Sequence, residues 1–285
     1  MAKACVHLMS WISQLDETNM NVLEKAKNMG FDGIELPMVD AMGMNTGFIQ
    51  KIRTELDRLD MECLCAAGLG RNENLIDSNP EIREKGKKLL HRLIDVASAL
   101  RSPSIAGPLY GTFEMSLGRA RTQEEWNIAV DSLGESADYA KEKGVTLCLE
   151  VLNRYETYFL NTAQDSLSLV KEIGRDNMKI HLDTYHMNIE EKNFYDPIVA
   201  CGEYLGYVHC SENDRGTPGS GHVDWDKVFK ALSEIGYKGW LGIETFHGPI
   251  SFIPVASSVW RKLATEDIPQ QGLLFIRKKQ EQYRL

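Results

Sequence analysis

The sequence predicts an α/β fold, a single (β/α)8 TIM barrel in which residues 1–285 form one domain. Eight short apolar runs alternate with longer amphipathic segments, and 285 residues suit one barrel of the usual ~250. No Pro- or Ser-rich linker, repeat or low-complexity stretch divides the series.

In chain order the strand-like runs are ACVHLM from Ala4, GIELPM from Gly33, ECLCAAGL from Glu62, SIAGPLY from Ser104, TLCLEVL from Thr146, KIHLD from Lys179, YVHCSE from Tyr207 and WLGIET from Trp240. Helical periodicity fills the gaps, as in NVLEKAKNMG from Asn21, PEIREKGKKLLHRLIDVASAL from Pro80, EEWNIAVDSLGESADYAKEKG from Glu124 and VDWDKVFKALSEIGYKG from Val223. Several of these end in Gly, the residue favoured just past a helix C-terminus.

Composition limits the function. A formal charge of −9 argues against nucleic acid or an anionic membrane as partner. The six cysteines form no CxxC pair and most sit inside strand-like runs, which suits reduced, buried thiols. The N-terminal MAKACVHLMSW lacks a long apolar region, and no window approaches ~18 uninterrupted apolar residues. The expectation is a cytoplasmic protein.

The stretch IHLDTYHMNIEE from Ile180 begins as a buried strand and then fills with acids and histidines. A carboxylate at the end of an apolar run costs several kcal/mol to desolvate unless paired or bound to a metal. Barrel active sites lie at the C-terminal ends of the strands. Four strands end there in potential ligands: Glu150, Asp183, His209 and Glu244. By alternation, Glu150 shares a face with Cys148, Asp183 with His181, His209 with Tyr207 and Glu244 with Gly242. A lone Glu is as often a salt-bridge partner or helix cap, but three carboxylates and an imidazole at equivalent strand ends call for a cation. The oxygen and nitrogen donors suit Mn²⁺, Co²⁺ or Mg²⁺.

The motifs LEVLNRYE from Leu149, LDTYHMNIEE from Leu182, VHCSENDRGTPGSG from Val208 and GIETF from Gly242 resemble the ketose 3-epimerases of the D-tagatose and D-allulose (psicose) type, within the xylose-isomerase-like barrels. LDTYHMNIEE is the most specific of these. The resemblance implies that Glu150, Asp183, His209 and Glu244 are metal ligands and that Glu150 and Glu244 are the acid–base pair. His186 and Arg215 would hold the carbonyl end of the sugar, and Glu156 would lie near its hydroxyls. In such a reaction a Lewis-acidic metal acidifies the C3 proton, one glutamate removes it, and the other returns a proton on the opposite face. Arg215 and His186 would stabilise charge developing at O2.

Two positions depart from the family pattern. His7 ends the first strand in place of an aromatic residue, and Phe113 replaces a Trp after the fourth; both would fall around the distal end of the ketose. The resemblance also implies a homodimer or homotetramer. Two other activities use related barrels: aldose–ketose isomerisation, and phosphodiester cleavage of the endonuclease IV type, which the acidic balance disfavours. The remaining histidines have plainer readings. His181 is expected to be a hydrogen-bonded interior residue, His91 to be a surface or boundary residue within a helix, and His222 and His247 to lie in loops. EIREKGKK reads as a solvated helix face, and GTPGSG, lacking the Walker lysine pattern, as a turn-rich loop.

Overall fold

A computed structural model describes residues 2–111, 116–259 and 267–285. Eight parallel strands close into a barrel in sequence order: β1 Lys3–His7, β2 Gly33–Pro37, β3 Glu62–Ala66, β4 Ser104–Gly107, β5 Thr146–Glu150, β6 Met178–Asp183, β7 Leu205–His209 and β8 Trp240–Ile243. The ring closes where β8 pairs with β1, Trp240 opposite Lys3 and Ile243 opposite Val6. Around it, in chain order, lie α1 Asn21–Met29, α2 Thr46–Leu59, α3 Pro80–Ala99, α4 Gln123–Glu142, α5 Ala163–Ile173, α6 Thr184–Glu190, α7 Tyr195–Cys201, α8 Trp225–Glu234, α9 Pro254–Ser257 and α10 Ile268–Tyr283. The eight expected strands and the closed barrel are all present.

Most strands stop earlier than their apolar runs, because the chain must leave the ladder to reach the outer helices. At β1 the run ACVHLM ends as strand at His7, whose Nδ1 accepts the Met9 N–H and starts a short 3-10 turn over Leu8–Ser10. At β6 strand and helix share a residue: Asp183 ends the strand and caps α6 through Oδ1, which accepts the Tyr185 N–H at 2.8 Å. Helix ends follow their local chemistry. Gly30 closes α1 at φ +94°, a conformation L side chains resist. Thr122 and Glu125 form a reciprocal capping box at the start of α4.

Alternation sorts the side chains into two cores. Outward-facing strand residues such as Val6, Ile34, Leu149 and Leu182 join the apolar faces of the helices. Inward-facing Cys5, Leu64, Cys148, Tyr207 and Trp240 fill the barrel. Gly242 belongs to this inner face. A Cβ there would lie 2.2 Å from the Tyr207 hydroxyl and 2.8 Å from His209 Cδ2, so the glycine makes room for both rings. All six cysteines are free and buried, as expected: four lie in strands, Cys201 ends α7 and Cys210 follows β7. Among the described residues no helix is long and apolar enough to cross a membrane.

Candidate active site at the barrel mouth

One step beyond the inner plug, the same alternation turns the last inward residue of each strand toward the C-terminal mouth: His7, Glu35, Ala66, Ala106, Glu150, Asp183, His209 and, just past β8, Glu244. The polar side chains come from β1, β2 and β5–β8, whereas β3 and β4 present alanines. Most of these residues line a cavity of about 370 Å³, within the ~300–1,000 Å³ range of small-molecule sites. His186, Arg215 and Glu156 line it too. Every expected site residue therefore lies at this mouth except Phe113, which is outside the described residues.

The four strand-end residues converge. One donor atom each from Asp183, His209 and Glu244 lies within 4.8 Å of the others, as do those of Glu150, Asp183 and His186, and of Glu150, His181 and His209. Arg215, on the loop after β7, sends Nη1 to within 2.7 Å of both Asp183 Oδ2 and Glu244 Oε2. Its guanidinium lies 3.9 Å from the centre of the Tyr185 ring. The Arg215 backbone has φ +61°, uncommon for a side-chain-bearing residue. It is held there by hydrogen bonds from its N–H to Glu212 O (3.0 Å) and from Thr245 Oγ1 to its carbonyl (2.7 Å).

His186 is oriented by Asn153. Both the backbone N–H and the Nδ2 amide of Asn153 donate to His186 Nδ1, at 3.2 and 2.8 Å. That assignment leaves the proton of the neutral ring on Nε2, which faces Asp183 Oδ2 and Glu150 Oε1 at 3.8 Å. Asn153 Nδ2 also donates to Glu156 Oε1 at 2.8 Å, so one amide sets both a histidine and an acid of the mouth.

Burial and mutual charge control protonation. Burial, and then the neighbouring Glu244 carboxylate, push Glu150 well above the usual carboxylate range. Burial acts the same way on Glu244, but the Arg215 guanidinium and His209 overcome it and hold that carboxyl well below its ordinary value. His209 is raised: burial opposes its charge, and Glu35 and Glu244 outweigh burial. His7, His181 and His186 are lowered by burial.

These features fit a divalent cation. His209 Nδ1 and both ring nitrogens of His181 are buried without a hydrogen-bond partner, which is costly unless something else binds them. A crowded, buried Glu150 resists ionisation until a positive charge stands beside it, and metal ligation requires its deprotonated form. His181 thus departs from expectation. It is interior, its ring tilted against Tyr207 at 4.8 Å and edge-on to His209 at 4.3 Å, but it is not hydrogen-bonded.

Three residues of the mouth escaped the sequence reading. Glu35 is fully buried and lies 2.7 Å from His209 Nε2. Its signal was an acid inside the apolar run GIELPM rather than at its end, where Asp183 stands. Asn153 carried no signal of its own. Glu212, fully buried, accepts the N–H groups of Gly219 and Val223 and the Trp225 indole, folding the GTPGSG segment back as the expected turn-rich loop.

Fold and site define a class. A sequence profile for the xylose isomerase-like TIM barrel matches residues 23–279, and the chain belongs to that family. Within it, relatives at 30% identity or more are named ketose, L-ribulose and D-psicose 3-epimerases, which are carbohydrate isomerases. A ketose 3-epimerase of Arthrobacter globiformis is 33% identical over 278 residues, 96% of this chain and 95% of its own. An L-ribulose 3-epimerase of Methylomonas sp. (strain DH-1) is 34% identical over 258 residues, 89% of each chain. The crystal structure of a D-allulose 3-epimerase from Methylomonas sp., in complex with D-allulose, superposes with a TM-score of 0.91 at 31% identity, covering 98% of this chain and 97% of that one.

Proposed function

We propose that this protein epimerises a free ketose at C3, with Glu150, Asp183, His209 and Glu244 holding a divalent cation and Glu150 and Glu244 serving as the acid–base pair. The observation that carries the reading is the convergence of three carboxylates and an imidazole at one buried mouth, on a chain whose relatives are named for this reaction. Mn²⁺ is the favoured ion, with Co²⁺ or Mg²⁺ as substitutes; when bound it supplies Lewis acidity toward the carbonyl and the neighbouring hydroxyl.

The chain's own groups do the rest. One glutamate takes the C3 proton to give an enediolate and the other returns a proton from the opposite face, which inverts the carbon. His186, with Nε2–H turned toward the acids, and Arg215 hold the carbonyl end and stabilise charge at O2. Glu156 receives sugar hydroxyls. His7 and Phe113 flank the distal end and would tune the choice among D-tagatose, D-allulose or D-fructose, and L-ribulose. The single 1–285 domain, a homodimer or homotetramer, and a cytoplasmic location belong to the same proposal; light scattering on the purified protein tests the assembly.

Turnover in D₂O tests the reaction. A ketose epimerised through C3 carries deuterium at C3. An aldose product labelled at C1 or C2, or unlabelled, would reject epimerisation in favour of aldose–ketose isomerisation.

A further inference from the structure

We propose that Glu35 is a positioning residue. From the end of β2 it fixes the His209 ring so that Nδ1, and not Nε2, faces Asp183 and Glu244 as a cation ligand. The inference rests on the metal site proposed above and adds a residue from a strand outside the four that supply ligands.

Glu35 is fully buried on the inner face of β2, with Ile34 and Leu36 turned to the outer core. An ionised carboxylate in such a place costs several kcal/mol unless a partner meets it. Its Oε2 lies 2.7 Å from His209 Nε2, across 174 residues of sequence, while its Oε1 is buried without a partner. An acid so placed is a poor packing residue. On the opposite edge of the ring, His209 Nδ1 is also buried and partnerless, 3.5 Å from Glu244 Oε2 and within the Asp183–His209–Glu244 group.

The two ring nitrogens are thus divided between a carboxylate and the convergence point. A carboxylate that takes Nε2–H leaves the Nδ1 lone pair for a cation and raises its basicity. The ring cannot readily turn out of this arrangement. His181 meets it edge-on at 4.3 Å and Tyr207 at 5.0 Å, and Cδ2 packs so closely over Gly242 that a Cβ there would lie 2.8 Å from it.

The test is Mn²⁺ binding to the full chain, followed by the EPR signal of free Mn²⁺, for wild type, Glu35→Gln and Glu35→Ala. Both variants should bind Mn²⁺ about 10- to 100-fold more weakly, the effect typical of an outer partner of a metal-bound histidine. Glutamine is nearly isosteric, but its amide can donate to Nε2 and so drive the ring proton onto Nδ1. A Glu35→Gln dissociation constant within about twofold of wild type overturns the inference while leaving the metal site standing. Wild type that binds no Mn²⁺ overturns both. A second measurement needs no variant: in Mg²⁺-loaded wild type labelled with ¹⁵N-histidine, His209 should carry its proton on Nε2. A proton on Nδ1 overturns the inference however the variants fold.

Discussion

Arg215 and Asp183, both buried and 2.7 Å apart, tie the loop after β7 to the end of β6. Removing one member of such a pair leaves the other charge uncompensated, at a cost of about 3–5 kcal/mol. Arg215→Ala should therefore lower the urea unfolding midpoint and abolish most turnover. Arg215→Lys should recover part of the stability but little turnover, because a compact ammonium loses the stacking of the guanidinium plane on Tyr185 that aims Nη1 at both Asp183 and Glu244. Turnover by Arg215→Lys close to wild type would show that charge alone suffices.

Glu150→Gln and Glu244→Gln should each reduce turnover by about 10²- to 10⁴-fold, the range of a positioned acid or base. Loss of ligation can mimic loss of proton transfer, so metal content is measured on the same samples. Chelation of wild type should abolish activity and lower the melting temperature. Re-addition at about a hundredfold excess over the dissociation constant restores ~2.7 kcal/mol by mass action. Full turnover by chelated protein would refute the cation's role.

Gly242→Ala forces a methyl group toward the Tyr207 hydroxyl and the His209 ring. Overpacking of this kind costs about 1–3 kcal/mol, and displacement of His209 should weaken Mn²⁺ binding. Adding Tyr207→Phe removes the nearest clashing atom. The double variant should be more stable than Gly242→Ala alone, a non-additivity readable in a double-mutant cycle.

Far from the mouth, Glu125 reports on pH. The Arg119 guanidinium, opposed by burial and aided by the Thr122 N–H and the Tyr158 hydroxyl, lowers it to about 2. A carboxyl depressed in the folded state stabilises fully above its unfolded value of ~4.3, and the gain disappears as pH falls toward the folded value. The difference in urea midpoint between wild type and Glu125→Gln should be constant near neutrality and shrink between about pH 4.3 and pH 2. A difference that grows on acidification would contradict the assignment.

The barrel was legible because each strand is a short apolar run bounded by helical periodicity, and the ligand set because Glu150, Asp183, His209 and Glu244 stand where those runs turn polar. Glu35 was hidden by its neighbours. Leu36, Pro37 and Met38 continue the apolar run past it, so no change of character marks the end of β2. The Asn153 link between His186 and Glu156 depends on how the loop after β5 folds over α6, a geometry without periodicity. Strand ends were overrun for a related reason: residues such as Leu8, Met9 and Cys210 are buried in turns as thoroughly as in strands, so hydrophobicity does not record where the ladder stops.

The hydrogen bond between Glu35 and His209 spans 174 residues, and the carboxylates it serves come from three further strands. No fragment of the ring contains the complete mouth. Chain entropy must be spent on joining distant strands before any of these contacts can form, so the site matures among the last events of folding. Interactions missing from the folding transition state act on the escape rate rather than the approach. A bound cation should therefore slow unfolding markedly and leave refolding almost untouched, acting as a latch on a ring that has already closed.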